Sequence, residues 1–153
     1  MNDGSIQIGV RRPMRSLSIA ASGLTAQRRR MDVIMSNIAN ADTTRGVDGT
    51  PYRRKVIEME EVAFQPVLDE TTGETGATEY GGVRVAGVAE DTSDFISIYE
   101  PGHPDADEAG YVLKPNVSIT TELVDMMDAS AAFEANASVF EALKSALRKA
   151  AQL

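Results

Sequence analysis

Two stretches of this chain repeat apolar residues every seven positions, and such a repeat leaves few folds open. In residues 16–42 the repeat is Leu17, Leu24, Met31 and Ile38, each followed three positions on by Ala20, Gln27, Ile34 and Ala41. No proline interrupts it. In residues 118–151, which hold neither proline nor glycine, the repeat is Ile119, Met126, Phe133, Phe140 and Leu147. Three or four positions further come Leu123, Ala129, Ser130, Asn136, Ala137 and Leu143, so large and small residues alternate along the seam. Both patterns are a/d seams of helices, and a strict seven-residue period predicts a left-handed supercoil. A narrow seam cannot be buried by its own helix, so each needs a partner, and the two terminal helices are the natural pair. The expected fold class is α+β: long N- and C-terminal helices paired as a coiled coil, with a small β-rich insertion between them. Gly23 costs helicity inside the first helix and makes sense where another backbone comes close.

Between the helices the period changes. Residues 1–15 have no periodicity, carry two glycines and Pro13, and are expected to be a flexible tail. Arg11-Arg12 faintly resembles a twin-arginine signal, but the heptads run through the would-be signal and past Arg28-Arg29-Arg30, whereas a signal has one unbroken apolar block. The first helix, from about residue 16 to residue 41, would be about 39 Å long. Asn40, Asp42, Thr43 and Gly46 end it, and Asp48-Gly49-Thr50-Pro51 is a turn. Residues 52–64 are rich in β-branched side chains and read as one or two strands. Residues 69–81 are acidic, rich in Gly and Thr, and read as a loop. Residues 82–88 alternate as a strand, with residues 95–99 as its partner. Residues 100–116 hold three of the six prolines and read as a loop. The domains are thus a discontinuous helical one, 16–50 with 117–153, and an insertion, 51–116.

Composition narrows the chemistry. The net charge of −8 argues against a nucleic-acid partner. That charge is uneven: residues 1–55 carry +6 and residues 56–153 carry −14, which suits head-to-tail stacking on copies or relatives of the chain. Without cysteine there is no disulfide, no Cys-based zinc site and no thiol nucleophile. No apolar run approaches the roughly 20 residues that span a bilayer. Arg28-Arg29-Arg30 lacks nearby aromatics and reads as a solvated face. The stripe of the first helix is too narrow for membrane-surface binding, since its other faces carry Asp32, Asn37 and Asn40. Asn37, Asn40 and Asn136 stand on or near the seams, where a polar residue fixes register.

No catalytic, cofactor-binding or metal site is expected. The one histidine, His103, has no nucleophile turn to serve. Asp105-Ala106-Asp107 begins like a calcium loop but lacks its glycine and distal glutamate. No glycine-rich phosphate cradle occurs. Glu60-Glu61 has no apolar pocket to split the two pKa values.

The helix ends also carry a resemblance. Ser36-Asn37-Ile38-Ala39-Asn40-Ala41-Asp42-Thr43 resembles the signature that closes the N-terminal helix of bacterial flagellar rod and hook proteins. Phe133-Glu134-Ala135-Asn136 resembles the aromatic-x-Ala-Asn motif of that family's C-terminal helix. Residues 49–54, 99–107, 110–112 and 115–117 are similar to the proximal-rod members. Over residues 15–153 the resemblance implies a non-enzymatic structural subunit of the flagellar basal-body rod. Such a subunit is exported by the flagellar type III apparatus without a cleaved signal and assembles helically through its terminal helices into a periplasm-spanning drive shaft. Its implied partners are copies of itself, other rod proteins and the base on the membrane ring, with the surrounding periplasmic ring as a further candidate. The residues expected to carry helix packing and assembly are Leu17, Leu24, Met31, Ile34, Ile38, Met126, Phe133, Phe140 and Leu147. The motif residues are Ser36, Asn37, Asn40 and Asn136. Three departures stand out: residues 1–13 lengthen the usual start, Arg45-Gly46-Val47 stands where many axial relatives have a Pro-Gly-Tyr turn, and Phe133 replaces a commoner tyrosine, which loses a hydroxyl and keeps the packing. The alternatives are a cytoplasmic coiled-coil adaptor, separated by export, and a metal-dependent enzyme at His103, separated by metal analysis.

Overall fold

A computed structural model describes the backbone of residues 4–46, 48–62, 66–68, 75–78 and 81–152, and the side chains of residues 15–46, 48–62 and 81–152. Two long helices hold the ends of the chain: α1, Gly4–Ala39, and α2, Ile119–Ala150. Between them lie β1 (Lys55–Val62), β2 (Pro66–Leu68), β3 (Thr75–Thr78), β4 (Gly82–Glu90), β5 (Ile96–Tyr99) and β6 (Tyr111–Lys114). They form three two-stranded sheets: β1 with β4, β2 with β3, and β5 with β6. The class is α+β. No described helix is long and apolar enough to cross a membrane.

Two compact units divide the chain, and α1, α2, β1 and β4 each contribute to both. The first comprises Met1–Arg28, Met59–Ala86 and Ala131–Leu153. Here Ala20 and Ala26 are buried on α1. Gly23 lies against the amide of Asn136, where an added Cβ would come within 3.0 Å of the nitrogen, so the glycine does mark a close approach between helices. Gly82, at φ 150°, leads β4 onto α1, and a Cβ there would meet the Ser22 hydroxyl at 2.5 Å. That hydroxyl donates to the Ile19 carbonyl at 2.7 Å and accepts from the Val83 amide at 3.1 Å.

The second unit comprises Arg29–Glu58 and Gly87–Ser130. Its buried apolar residues are Ile34, Ala41, Val112, Val117 and Ala129. The β5–β6 pair is antiparallel, with Tyr99 opposite Tyr111 and Ile98 opposite the buried Val112. The two tyrosine rings meet edge to face at 5.3 Å. The connecting segment is ordered by its own polar groups. Asp107 accepts from the amides of Ala109 and Tyr111, and Gly110 turns at φ 84° where a Cβ would strike the Tyr99 ring. Lys114 closes the pair on Glu100 at 2.8 Å.

Several elements depart from the sequence expectations. The segment read as a tail is helical from Gly4, with residues 1–3 outside the described residues. Once a helix is nucleated, each further residue adds a hydrogen bond, which extends α1 through this segment although Pro13 removes one such bond and its ring crowds the preceding turn. The loop expected at 69–81 contains β3, whose pairing with β2 supplies the order its Gly/Thr composition hides; residues 69–74 and 79–80 lie outside the description. The partner expected for 82–88 was 95–99, but β4 pairs with β1 and β5 pairs with β6, inside the presumed loop 100–116. Pro101 and Pro104 stiffen the turn, and Tyr111, Val112 and Leu113 are good strand formers just beyond it.

Candidate assembly site

Where α1 ends, its signature residues build a polar joint inside the second unit. Asn40 Nδ2 donates to the Ser36 carbonyl at 2.8 Å, adding a second bond to an oxygen that already accepts the Asn40 backbone amide at 3.2 Å. The Thr43 hydroxyl donates back to Asn40 Oδ1 at 3.3 Å, and the Thr43 carbonyl accepts from the Tyr52 amide at 3.0 Å. The chain is thereby folded back along the helix end, and Tyr52, Arg54 and Lys55 are brought to Asn37. Ser36 Oγ lies 3.4 Å from the Tyr52 hydroxyl.

Asn37 is 1% exposed and every polar group of its side chain is matched. Its Oδ1 accepts from the Lys55 amide at 2.9 Å and from the Tyr52 hydroxyl at 3.0 Å. Its Nδ2 donates to the Lys55 carbonyl at 2.8 Å and to Glu122 Oε2 at 2.9 Å. The side-chain amide thus pairs with both backbone groups of Lys55 as a neighbouring strand would, and fastens the start of β1 to α1.

Glu122, on the first turns of α2, is fully buried. Its second oxygen accepts from Arg54 Nε at 2.6 Å. Arg54 also reaches Asp125 at 3.2 Å and Asp91 at 3.6 Å, and Arg30 on α1 meets the other oxygen of Asp125 at 3.1 Å. Burial alone would lower the Arg54 pKa. The hydrogen bond and charge of Glu122, with the charges of Asp125 and Asp91, outweigh it and hold the guanidinium above its ordinary value. The backbone and hydroxyl of Ser93, more than Arg54, hold the Asp91 carboxyl below its usual range. Asn116 completes the joint: it accepts from the Arg54 amide at 2.7 Å and donates to the Asp91 carbonyl at 3.1 Å and the Ser93 hydroxyl at 2.8 Å. Arg53 donates to the carbonyls of Asp91 and Ser93 and lies 4.3 Å over the Phe95 ring.

The expected packing residues sit as follows. Ile34 is buried; Leu17, Leu24, Met31, Ile38, Met126, Phe133, Phe140 and Leu147 are half-buried. Ser36, Asn40 and Asn136 are half-buried as well. Leu123, read as a seam residue, is 51% exposed, and its neighbour Glu122 occupies the buried position. Ile119, Val124 and Met127 are exposed too. Sequence reasoning passed over Glu122 because it is charged, although Glu122, Ala129, Asn136 and Leu143 keep a seven-residue spacing of their own. Arg30 was grouped with Arg28 and Arg29 as solvated; only those two are exposed. His103 Nδ1 accepts from the Asp105 amide at 3.1 Å, and Asp105 binds Thr44 and Arg45. Among the described residues no group of three metal-ligating side chains gathers. The arrangement joins helices to strands.

Comparisons with known proteins match both ends and the middle of the chain. The family model described as flagella basal body rod protein matches residues 17–45, and that described as flagellar basal body rod FlgEFG protein C-terminal matches residues 108–153. The flagellar basal-body rod protein FlgC of Bacillus subtilis (strain 168) is 43% identical over 144 residues, covering 90% of this chain and 95% of that protein. FlgC of Borreliella burgdorferi is 43% identical over 148 residues, covering 88% and 93%. FlgC of Salmonella typhimurium is 45% identical over 131 residues, covering 86% and 90%.

Proposed function

The chain belongs to the FlgC family of flagellar basal-body rod proteins, and on that footing we propose that it is a proximal-rod subunit whose terminal helices assemble helically into the periplasm-spanning drive shaft. It is a structural protein of the basal-body rod and not an enzyme. The observation that carries the finer reading is the apolar surface that α2 leaves uncovered. Ile119, Leu123, Val124 and Met127 are exposed at its first turns, and α2 buries only Glu122 and Ala129. Apolar surface of this kind on a helix is covered in an assembly. Pairing of α1 with α2 as a coiled coil is supported in the second unit by Arg30–Asp125 and Asn37–Glu122, and in the first by Gly23 against Asn136.

In this reading Leu17, Leu24, Met31, Ile34, Ile38, Met126, Phe133, Phe140 and Leu147 form the packing that resists torsion. The unequal charge of the two parts of the chain orders stacking on copies and on other rod proteins, the membrane-ring base and, as a further candidate, the periplasmic ring. The subunit leaves the cell through the flagellar type III apparatus. Losing a packed Phe costs about 3–5 kcal/mol, and a carboxylate in its place costs more. Phe133→Asp is therefore expected to abolish rod assembly, read by purifying basal bodies. A motile strain with normal hooks carrying that change would overturn the reading. Fractionation separates it from a cytoplasmic adaptor: the rod subunit is recovered outside the inner membrane.

A further inference from the structure

Seven-residue repeats on two helices are nearly degenerate. Sliding α1 by one heptad along α2 brings like positions together again, with an axial shift of about 10 Å. The residues between the helices, 40–118, form a long connection, and loop length adds little cost to such a shift. Apolar seams alone therefore do not select one register, and something in the joint must.

We infer that Glu122 is the register key of the helix pair and that Asn37 and Arg54 are its lock. Glu122 is fully buried and each of its oxygens is bound, one by Asn37 from α1 and one by Arg54 from the segment that follows. Asn37 is held in turn by the two backbone groups of Lys55 and by the Tyr52 hydroxyl, so the lock cannot turn away to suit another partner. Shifted one heptad in one direction, Asn37 faces Ala129 in place of Glu122, and its Nδ2 loses an acceptor. The same shift carries the 122 position beyond the end of α1 at Ala39, and the opposite shift carries Asn37 past the start of α2 at Ile119 and sets Glu122 opposite Arg30. Either way Asn37 and Glu122 part and the buried Asn37 Nδ2 is left without its carboxylate acceptor, a penalty that no apolar contact in the repeat offsets. Arg30 and Asp125 add a second, half-buried pair that agrees with the same register. The polar joint thus decides which of several similar helix pairings the subunit presents, a role distinct from adding net stability.

The absence of native cysteine makes the test direct. Cysteines replace Met35 on α1 and Met127 on α2, both exposed and both in the second unit, and carry spin labels. The full chain gives one narrow distance distribution. In the Asn37→Leu, Glu122→Leu double variant, which removes the key and the Asn37 half of its lock, a second population displaced by about 10 Å along the helices is expected, with helicity by circular dichroism retained. Asn37→Leu alone, which keeps the carboxylate and removes half of the lock, is expected to show the same second population. Leu123→Ala, at an exposed seam position, leaves every hydrogen bond of the joint in place and is expected to hold the single native distance. One native distance in both Leu variants would overturn the inference, and so would a shifted distance in Leu123→Ala. The measurement is made on the monomeric chain, so its failure is separate from a failure of rod assembly.

Discussion

Glu122 and Arg54 are unequal partners, and the inequality is measurable. Arg54 keeps Asp125 and Asp91 within reach if Glu122 is neutralised, whereas Glu122 keeps only Asn37 if Arg54 is lost. Arg54→Met is therefore expected to cost about 3–5 kcal/mol, the range for an uncompensated buried charge, and Glu122→Gln about 1–2 kcal/mol. Urea unfolding at neutral pH checks the order, and a larger loss for Glu122→Gln would contradict this account of the joint. Gly82 offers a second test at this scale. A methyl group there meets the Ser22 hydroxyl, at a backbone φ of 150° that side chains rarely adopt. Gly82→Ala should cost about 1–3 kcal/mol. Adding Ser22→Ala should recover only part of it, because Val83 then loses its hydrogen-bond acceptor. A double-mutant cycle reads the coupling, and strict additivity would show that the two residues do not meet.

Among the elements, the β5–β6 pair carries an ion pair that titrates. The hydrogen bond from Lys114, then its charge, holds the Glu100 carboxyl below its ordinary value of 4.5, and the same bond to Glu100 raises Lys114 above 10.5. Asp91 is likewise held below 3.8, chiefly by Ser93. A depressed carboxylate stabilises the fold fully above its ordinary pKa and loses that contribution as pH falls through the lower folded value. A raised lysine stabilises below its ordinary pKa and loses that contribution as pH rises through the higher folded value. The thermal midpoint should thus fall between about pH 5 and pH 2, and Lys114→Met should make that acid limb shallower by removing the Glu100 share. An unchanged acid limb in Lys114→Met would show that the bridge contributes nothing. Helix α2 behaves differently along its length. Its buried residues, Glu122 and Ala129, lie near its start, and the half-buried Phe133, Phe140 and Leu147 follow where little else is covered.

Among the described residues the molecule has a well-satisfied polar joint, and beyond Ala129 the described part of α2 has no buried residue. Such ends open locally at little cost when the chain is alone. Limited proteolysis of the free subunit is expected to trim both termini first and to leave the segments around Asn37, Arg54 and Glu122. Termini that resist digestion at low concentration would count against this. Assembly through complementary charge carries its own signature, since the screening length falls from about 10 Å at 0.1 M salt to about 3 Å at 1 M. Association of purified subunits should weaken across that range. Reversing the exposed Arg28 and Arg29 to Glu should weaken it at low salt, measured by sedimentation.

The repeats of Leu17 and Ile119, the polar end at Asn40–Gly46 and the turn at Asp48–Pro51 were enough to place α2, α1 from about residue 16 onward and the boundary after it, because helix periodicity and termination are local properties of a sequence; the stretch of α1 before residue 16 has no such period and was not legible. Resemblance in the residues 36–43 and 133–136 pointed to the family. Strand partners were not legible: β5 and β6 find each other only through a turn that Asp107 and Gly110 close, and β2 and β3 only through pairing with each other. Nor was the joint legible, because nothing in the local pattern says that Glu122 is buried and Leu123 exposed. That choice belongs to Asn37 and Arg54, which lie 85 and 68 positions away along the chain. A carboxylate can be buried only where such partners converge, and their convergence is a property of the folded chain.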